Sequence, residues 1–353
     1  MGFVSDPISP LHLARGLSRQ LLRRMRTYSL GGEDLAGGRL WAYVPGALVT
    51  PHNWPVLDSR FVHQNWNRFT VPNLVKRAQA RGFGEVDLLY FDCVHHQFWL
   101  DAIKHRNAVY RMGDRMGGFH KWATPIACEL QRSLATRVDL VLYSAKTLEA
   151  DVKALGPKAA QYFPNGVDFK HFAEATIRTP SDIAGIRRPI AIYIGAMEEW
   201  FDFQLLNAAA ARLHDVSFVL LGPDNLARRK LQPCGNLHIL GPRAFDELPN
   251  YLYHADVGLI PFNVREHQAL VNSVNPLKLY EYMACGLPVV SVRWRELELM
   301  NTPAHLADGT EQFLEYVRRA TRYDGRREEC ILYASRQDWS ARARQLHDLL
   351  TLS

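Results

Sequence analysis

The chain has 353 residues, 47% of them hydrophobic and 22% charged, an ordinary globular composition long enough for about two domains, and one that excludes a disordered, collagen-like or coiled-coil protein. The 42 Lys and Arg against 36 Asp and Glu leave a formal net charge of +6, which suits anionic partners without separating nucleotide diphosphates, lipid surfaces and nucleic acid. The five cysteines, Cys93, Cys128, Cys234, Cys285 and Cys330, never form CxxC, so neither a disulfide framework nor a structural zinc site is expected, and a cytoplasmic location is. No apolar run approaches the ~20 residues of a membrane span, and Met1-Gly2-Phe3-Val4 leads into a Ser-Asp-Pro turn rather than a signal-peptide pattern.

The chain order opens with a short strand, Gly2 to Val4. A helical pattern from Ser9 to Arg26 follows, in which Arg15, Arg19, Arg23, Arg24 and Arg26 interleave with Leu13, Leu17, Leu21, Leu22 and Met25. Its apolar face suits burial as the first helix of a domain, and its arginines suit peripheral contact with an anionic membrane face. Trp54, Phe61, Trp66 and Phe69 read as core, with stacking on an acceptor sugar as the alternative. Strands over Leu40 to Val44, Val86 to Phe91, Ala108 to Arg111, Leu140 to Tyr143 and Gln161 to Phe163 alternate with helical patterns near 71–81, 97–105, 120–135 and 145–154. The polar, proline-bearing stretch 174–188 reads as a linker. Beyond it, strands over Ile190 to Ile194, Ser217 to Leu221, His238 to Leu240, Val257 to Pro261 and Pro288 to Val292 are separated by helices near 202–213, 245–254 and 276–285. Only helical patterns are expected after Val292.

Short β-branched runs separated by helices imply βαβ crossovers and parallel sheets. The expected fold is therefore α/β, with two Rossmann-like doubly wound parallel-sheet domains facing a cleft. Residues 1–173 form the acceptor-binding domain and 189–330 the donor-binding domain. A closing helix over 331–353 packs on one or the other. Ligands of such sheets bind at the carboxyl ends of the strands.

The most informative run is Asn275-Pro276-Leu277-Lys278-Leu279-Tyr280-Glu281-Tyr282-Met283-Ala284-Cys285-Gly286-Leu287-Pro288-Val289-Val290. Pro276 suits a first helical position and Gly286 a helix end before a buried strand. Lys278 then falls in the first turn, where unpaired amides already favour an anion, and Glu281 on the same face can accept hydrogen bonds from ribose hydroxyls. A solvated Lys–Glu pair on a helix that merely packs is the plainer alternative.

This run resembles the nucleotide-sugar-binding helix of GT-B glycosyltransferases, in which a carboxylate-bearing helix and a Gly-x-Pro-Val-Val strand lie in the C-terminal donor domain. Pro164-Asn165-Gly166-Val167-Asp168, Tyr193-Ile194-Gly195-Ala196 and Ala255-Asp256-Val257-Gly258-Leu259-Ile260-Pro261 fit the same family, and the resemblance covers most of 160–295. Retaining members commonly carry a second glutamate eight positions before the first; here that position is Ser273. Leu277-Lys278-x-x-Glu281 instead resembles the Met-Lys-x-x-Gln pattern of xanthan-type glucuronosyltransferases, inverting enzymes with lipid-linked acceptors whose Lys contacts the diphosphate. The resemblance thus implies Lys278 for the diphosphate and Glu281 for the nucleoside.

Gly195 follows a strand at a point where glycine lets backbone amides approach a diphosphate, and the resemblance places this loop, with Met197, beside the donor. Arg243, after another strand, is a candidate for the diphosphate or the base, or else a solvated arginine. In the N-terminal half, Tyr110-Arg111-Met112-Gly113-Asp114-Arg115-Met116 ends a strand with an acid. Inversion needs a base for the acceptor hydroxyl, and Asp114 is the candidate, as the likeness to xanthan-type enzymes also implies; an ion-paired turn residue is the alternative. Asp92 and His95-His96 are its rivals. The 14 histidines, among them His12, His52, His63 and His120, show no HExxH or comparable spacing, and Asp-x-Asp is absent. No metal or other cofactor is expected, since basic residues and helix dipoles substitute for it in GT-B enzymes.

The expectation is transfer of a sugar from a nucleotide diphosphate, UDP first, onto a saccharide or lipid-linked saccharide in bacterial surface or exopolysaccharide biosynthesis. Inversion would use Asp114, in a cytoplasmic protein in peripheral contact with the inner face of the membrane. A retaining GT-B enzyme, a UDP-sugar epimerase and a non-catalytic sugar-nucleotide-binding partner are the rival functions. No nucleic-acid motif accompanies the short basic run, and no nucleic-acid partner is expected.

Overall fold

The computed structural model describes residues 1–14, 18–51, 56–115, 124–322 and 325–351. Arg15, Leu17, His52, Trp54, Met116 and His120 lie outside the described residues, as do the side chains of Leu13 and Arg19. The chain forms two compact units, Met1–Leu142 with Ala150–Gln161, and Tyr143–Glu149 with Tyr162–Ser353.

The division corrects the expected linker. Within 174–188, Ile183 is only 2% exposed and belongs to the C-terminal core, and Asp182 accepts hydrogen bonds from Arg243 and Tyr251. An apolar anchor and a buried-edge ion pair thus pack a stretch whose prolines and polarity suggested a solvated connector. The closing helix, Trp339–Thr351, also belongs to the second unit: Trp339 donates its amide to the Val167 carbonyl at 3.0 Å, and a side chain at Gly166 would meet the Trp339 ring.

In the N-terminal unit, β1 (Gly2–Val4), β2 (Glu33–Leu35) and β3 (Leu40–Tyr43) form a sheet of order β1-β3-β2, with β1 parallel and β2 antiparallel to β3. The acidic β2 has no strand pattern; Gly-Gly pairs on either side fold it back along β3. A second sheet has the order β4 (Glu85–Phe91), β5 (Lys104–Met112), β6 (Leu140–Tyr143), β7 (Ala160–Tyr162), with β4 parallel to β5. The expected single sheet is therefore divided in two. Helix Arg19–Ser29 starts where Ser18 accepts the Leu21 amide at 3.1 Å, and buries Leu21 against Ile8 and Val44. Arg24 donates to the Asp6 carbonyl at 2.6 Å, while Leu22, Arg23 and Arg26 face solvent. Helix Pro125–Arg137 begins in the same way on Thr124, whose hydroxyl accepts the Ala127 amide at 3.2 Å.

In the C-terminal unit, β8 (Ile190–Ile194), β9 (Ser217–Leu221), β10 (Leu237–Gly241), β11 (Val257–Ile260), β12 (Val289–Val292) and β13 (His305–Ala307) form one all-parallel sheet of order β10-β9-β8-β11-β12-β13. Every residue of β8, β9, β11 and β12 is buried, as a parallel strand covered on both faces requires, and this is why their runs are apolar without alternation. β13 is an edge strand of three residues and gives no such signal. The strand order reverses between β8 and β11, the switch point where open sheets of this kind bind ligands.

Candidate functional site

Three glycine-bearing turns leave the carboxyl ends of neighbouring strands. The Gly195 amide donates to the Leu221 carbonyl at 2.9 Å and the Gly222 amide to the Gly241 carbonyl at 3.0 Å, which zips the turns after β8, β9 and β10 together. Gly222, at φ +138°, has no room for a side chain, because a Cβ there would lie 2.0 Å from the Gly195 carbonyl oxygen. A Cβ on Gly195, at φ +149°, would lie 3.1 Å from the Lys278 ammonium and 3.1 Å from the Tyr193 hydroxyl. Gly195 therefore makes a backbone floor under Lys278, and Gly222 packs against the carbonyl of Gly195.

Lys278 stands in the first turn of helix Leu277–Ala284. Its ammonium lies 4.9 Å from the centre of the Tyr193 ring and 4.7 Å from that of Phe262. Tyr193 is fixed by donating its hydroxyl to the Ala196 carbonyl at 2.8 Å, and Phe262 packs on Trp294. Desolvation brings the ammonium down from 10.5 to about 8, opposed by the charge of Glu281. Lys278 makes no salt bridge among the described residues, so a largely desolvated cation sits on two π faces with Glu281 as its nearest charge influence. That arrangement suits an anion. Glu281, one turn on and partly buried, is raised by desolvation and held down by Lys278 and His171. The Asn275 amide nitrogen just before the helix is buried without a partner, while its oxygen accepts from the Tyr280 hydroxyl at 2.9 Å.

The structure brings together Gly195, Lys278 and Glu281 of the expected residues. Met197 is 1% exposed, so it supports the turn from the core, with its amide 3.4 Å from the Pro223 carbonyl. Arg243 is a correction. Its guanidinium donates to Asp182, to the Tyr251 hydroxyl at 2.7 Å and to the Leu240 carbonyl at 2.7 Å, and Asp182 raises its pKa further. It follows the edge strand β10, two strands from β8, and clasps 174–188 instead of facing a ligand. Ser273, where retaining members carry glutamate, is fully buried and donates to the Leu270 carbonyl at 2.9 Å. Tyr193, Phe262 and Gly222 were not singled out from the sequence; Gly222 directly follows a predicted strand and could have been.

In the N-terminal unit, Asp114 is exposed two residues beyond β5. Arg115 is not its partner, being bonded twice to Asp151 at 2.6 and 3.0 Å. Arg111 is 3.9 Å from Asp92 and lowers both acids, yet desolvation leaves the pKa of Asp114 and of Asp92 raised. Asp114 makes no hydrogen bond or ion pair among the described residues. A cavity of about 1020 Å³ is lined by residues of 85–87 and 100–106 at the amino ends of β4 and β5, the end that parallel sheets do not use for ligands. Among the described residues, no three His, Cys, Asp or Glu gather in a way that could hold a metal ion, and no helix is long and apolar enough to cross a membrane.

Comparison with known proteins agrees with this architecture. Sucrose-phosphate synthase from Thermosynechococcus elongatus superposes over 99% of this chain and 98% of its own, at TM-score 0.64 and 15% identity. The trehalose-phosphate synthase (UDP-forming) of Burkholderia vietnamiensis does so over 100% and 98%, at TM-score 0.64 and 14% identity. HepE of Anabaena, in complex with UDP-glucose, matches 88% of this chain and 87% of its own, at TM-score 0.60 and 18% identity. The fold is GT-B, two Rossmann-like domains. Residues 188–321, the stretch that holds Lys278, match the family described as Glycosyl transferases group 1. TuaH of Bacillus subtilis (strain 168), described as a teichuronic acid biosynthesis glycosyltransferase, is 26% identical over 204 residues, 52% of this chain. The chain spans about half the length of that relative, 51%.

Proposed function

We propose that the protein is a glycosyltransferase that moves a sugar from a nucleoside diphosphate, UDP in the first instance, onto a saccharide or lipid-linked saccharide in surface polysaccharide assembly. The observation that carries this is Lys278: a desolvated cation with no salt bridge among the described residues, held on two aromatic faces above the backbone of Gly195, beside the switch point of a parallel sheet. A diphosphate satisfies the ammonium, and the missing side chain of Gly195 leaves room for it beside the backbone. Glu281 on the next turn accepts the ribose hydroxyls. Complexes of HepE with UDP and with UDP-glucose support the choice of donor, and the teichuronic acid relative supports the choice of pathway class.

Transfer proceeds with inversion in this reading. Asp114 takes the proton of the acceptor hydroxyl, the oxygen bonds to the anomeric carbon, and the bond to the diphosphate breaks on the opposite side, its charge received by Lys278. The internally bonded Ser273 leaves no carboxylate at the position that retaining members use. The outward Leu22, Arg23 and Arg26 suit peripheral contact with an anionic leaflet. Thermal stabilisation by UDP, GDP and ADP tests the site: UDP is expected to raise the melting temperature of the native chain and to leave Lys278→Ala unmoved. An undiminished response in Lys278→Ala would overturn the assignment. Proton NMR of the product's anomeric signal, compared with that of the donor, decides inversion.

A further inference from the structure

A chain of three side chains in the N-terminal unit has no part in the reading above. His63, 4% exposed, places Nε2 2.7 Å from Asp58 Oδ1 and Nδ1 2.8 Å from Nδ1 of His95. The rings are tilted at 34° with centres 4.7 Å apart. Both ends are anchored: the Thr124 hydroxyl that caps helix Pro125–Arg137 also donates to Asp58 at 3.3 Å, and the fully buried Trp66 donates its indole N–H to the His95 carbonyl at 2.8 Å.

Two ring nitrogens 2.8 Å apart share one proton. A carboxylate only accepts, so His63 carries a proton on Nε2 toward Asp58. With the shared proton on His95 Nδ1, His63 accepts at its own Nδ1 and a lone pair is left on His95 Nε2. His95 stays neutral: burial, together with His63, brings its pKa down to about 4. The His95 ring is partly exposed, and its Nε2 makes no hydrogen bond among the described residues. His95 lies four residues beyond β4 and Asp114 two beyond the parallel neighbour β5, so both leave the same, ligand-binding edge of the sheet.

We propose that Asp58 and His63 are positioning residues that hold His95 in the Nδ1–H form, so that His95 Nε2 accepts a hydrogen bond from a hydroxyl of a saccharide. That the hydroxyl belongs to a saccharide, the transfer acceptor, rests on the proposed function; the relay itself does not. The test is two-bond ¹H–¹⁵N spectroscopy of the whole, histidine-labelled protein, assigned with His95→Gln, or with Asp58→Asn should that variant fail to fold. Methyl glycosides of glucose, N-acetylglucosamine and glucuronic acid serve as probes. The expected result is a bare Nε2 on His95 in the free protein, whose signal moves on addition of at least one glycoside. Asp58→Asn, which offers a donor as well as an acceptor, should mix the two His95 tautomers and weaken that glycoside about tenfold. A proton on Nε2 in the free protein, or no movement with any of the three, overturns the proposal. Stabilisation by UDP is recorded on the same samples: its absence beside an intact glycoside response defeats the transferase reading alone, and the reverse defeats the relay alone.

Discussion

Replacing Lys278 by Met should make the protein more stable at neutral pH while removing its nucleotide response. The lysine falls from 10.5 to about 8 in the folded chain, which at about 1.4 kcal/mol per pH unit is a penalty of about 3 kcal/mol for holding the charge there. The Tyr193 and Phe262 faces return part of it, about 0.5–1 kcal/mol each. Methionine keeps the length of the side chain and its contact with the rings, so the net gain is about 1–2 kcal/mol. The sign follows from proton binding: the unfolded lysine binds its proton more tightly than the folded one, so the penalty is complete below about pH 8, fades as the folded state deprotonates first, and is gone above 10.5. Urea denaturation of the native chain and of Lys278→Met at pH 7 and pH 10 measures this. The variant should be the more stable at pH 7, with a margin that shrinks at pH 10. A variant less stable at pH 7, or a margin independent of pH, refutes the account of a desolvated cation.

The same proton governs affinity: UDP binding, read by calorimetry, should hold steady below pH 7 and weaken above about pH 8, as the unliganded lysine loses its charge. Gly222→Ala should destabilise more than Gly195→Ala, because its Cβ meets a backbone oxygen at 2.0 Å where that of Gly195 meets movable Lys278 atoms at 3.1 Å; chemical denaturation of the two variants orders them, and Gly195→Ala should also weaken UDP. Arg243→Gln should lower stability by about 1–3 kcal/mol through loss of the charged partner of Asp182 while leaving the UDP dissociation constant within about twofold, the reverse of what a diphosphate ligand would show. Asp114→Asn should cut turnover by about 10²–10⁴ with the UDP-induced melting shift unchanged; loss of that shift would mean that the acid supports folding instead.

What could be read in advance follows from which signals are local. The strands of the C-terminal sheet were legible because burial on both faces forces uninterrupted apolar runs such as Ile190–Ile194 and Ser217–Leu221, and Lys278 and Gly195 because a helix start and a strand end are marked by their own neighbours. The three-residue strands Glu33–Leu35 and His305–Ala307 were not, since pairing partners supply what their composition lacks. The function of Arg243 was misread for a similar reason. An arginine after a strand points to an anion, and only the fold shows that the anion is Asp182, 61 residues earlier, within a stretch that looked like a linker. The aromatic rings around Lys278 come from β8 and from the turn after β11, which are distant in sequence, so no window could have joined them.

The position of Lys278 is itself a consequence of the sheet's topology. At the switch point the ladder from β8 to β11 ends with Ile192 opposite Gly258, so the next inward-facing amide of β8, that of Ile194, has no strand to pair with. A buried amide needs an acceptor, and the Tyr282 hydroxyl supplies it at 2.7 Å. The ring reaches that far only because the strand across the gap has a glycine: a Cβ on Gly258 would come within 2.3 Å of Tyr282. Tyr282 follows Lys278 by four residues, hence on the same face of the helix. The bond that satisfies the diverging strands therefore also sets the helix in register and aims the lysine over the Gly195 turn. The gap at the switch point and the contact that places Lys278 beside it arise from one divergence between β8 and β11.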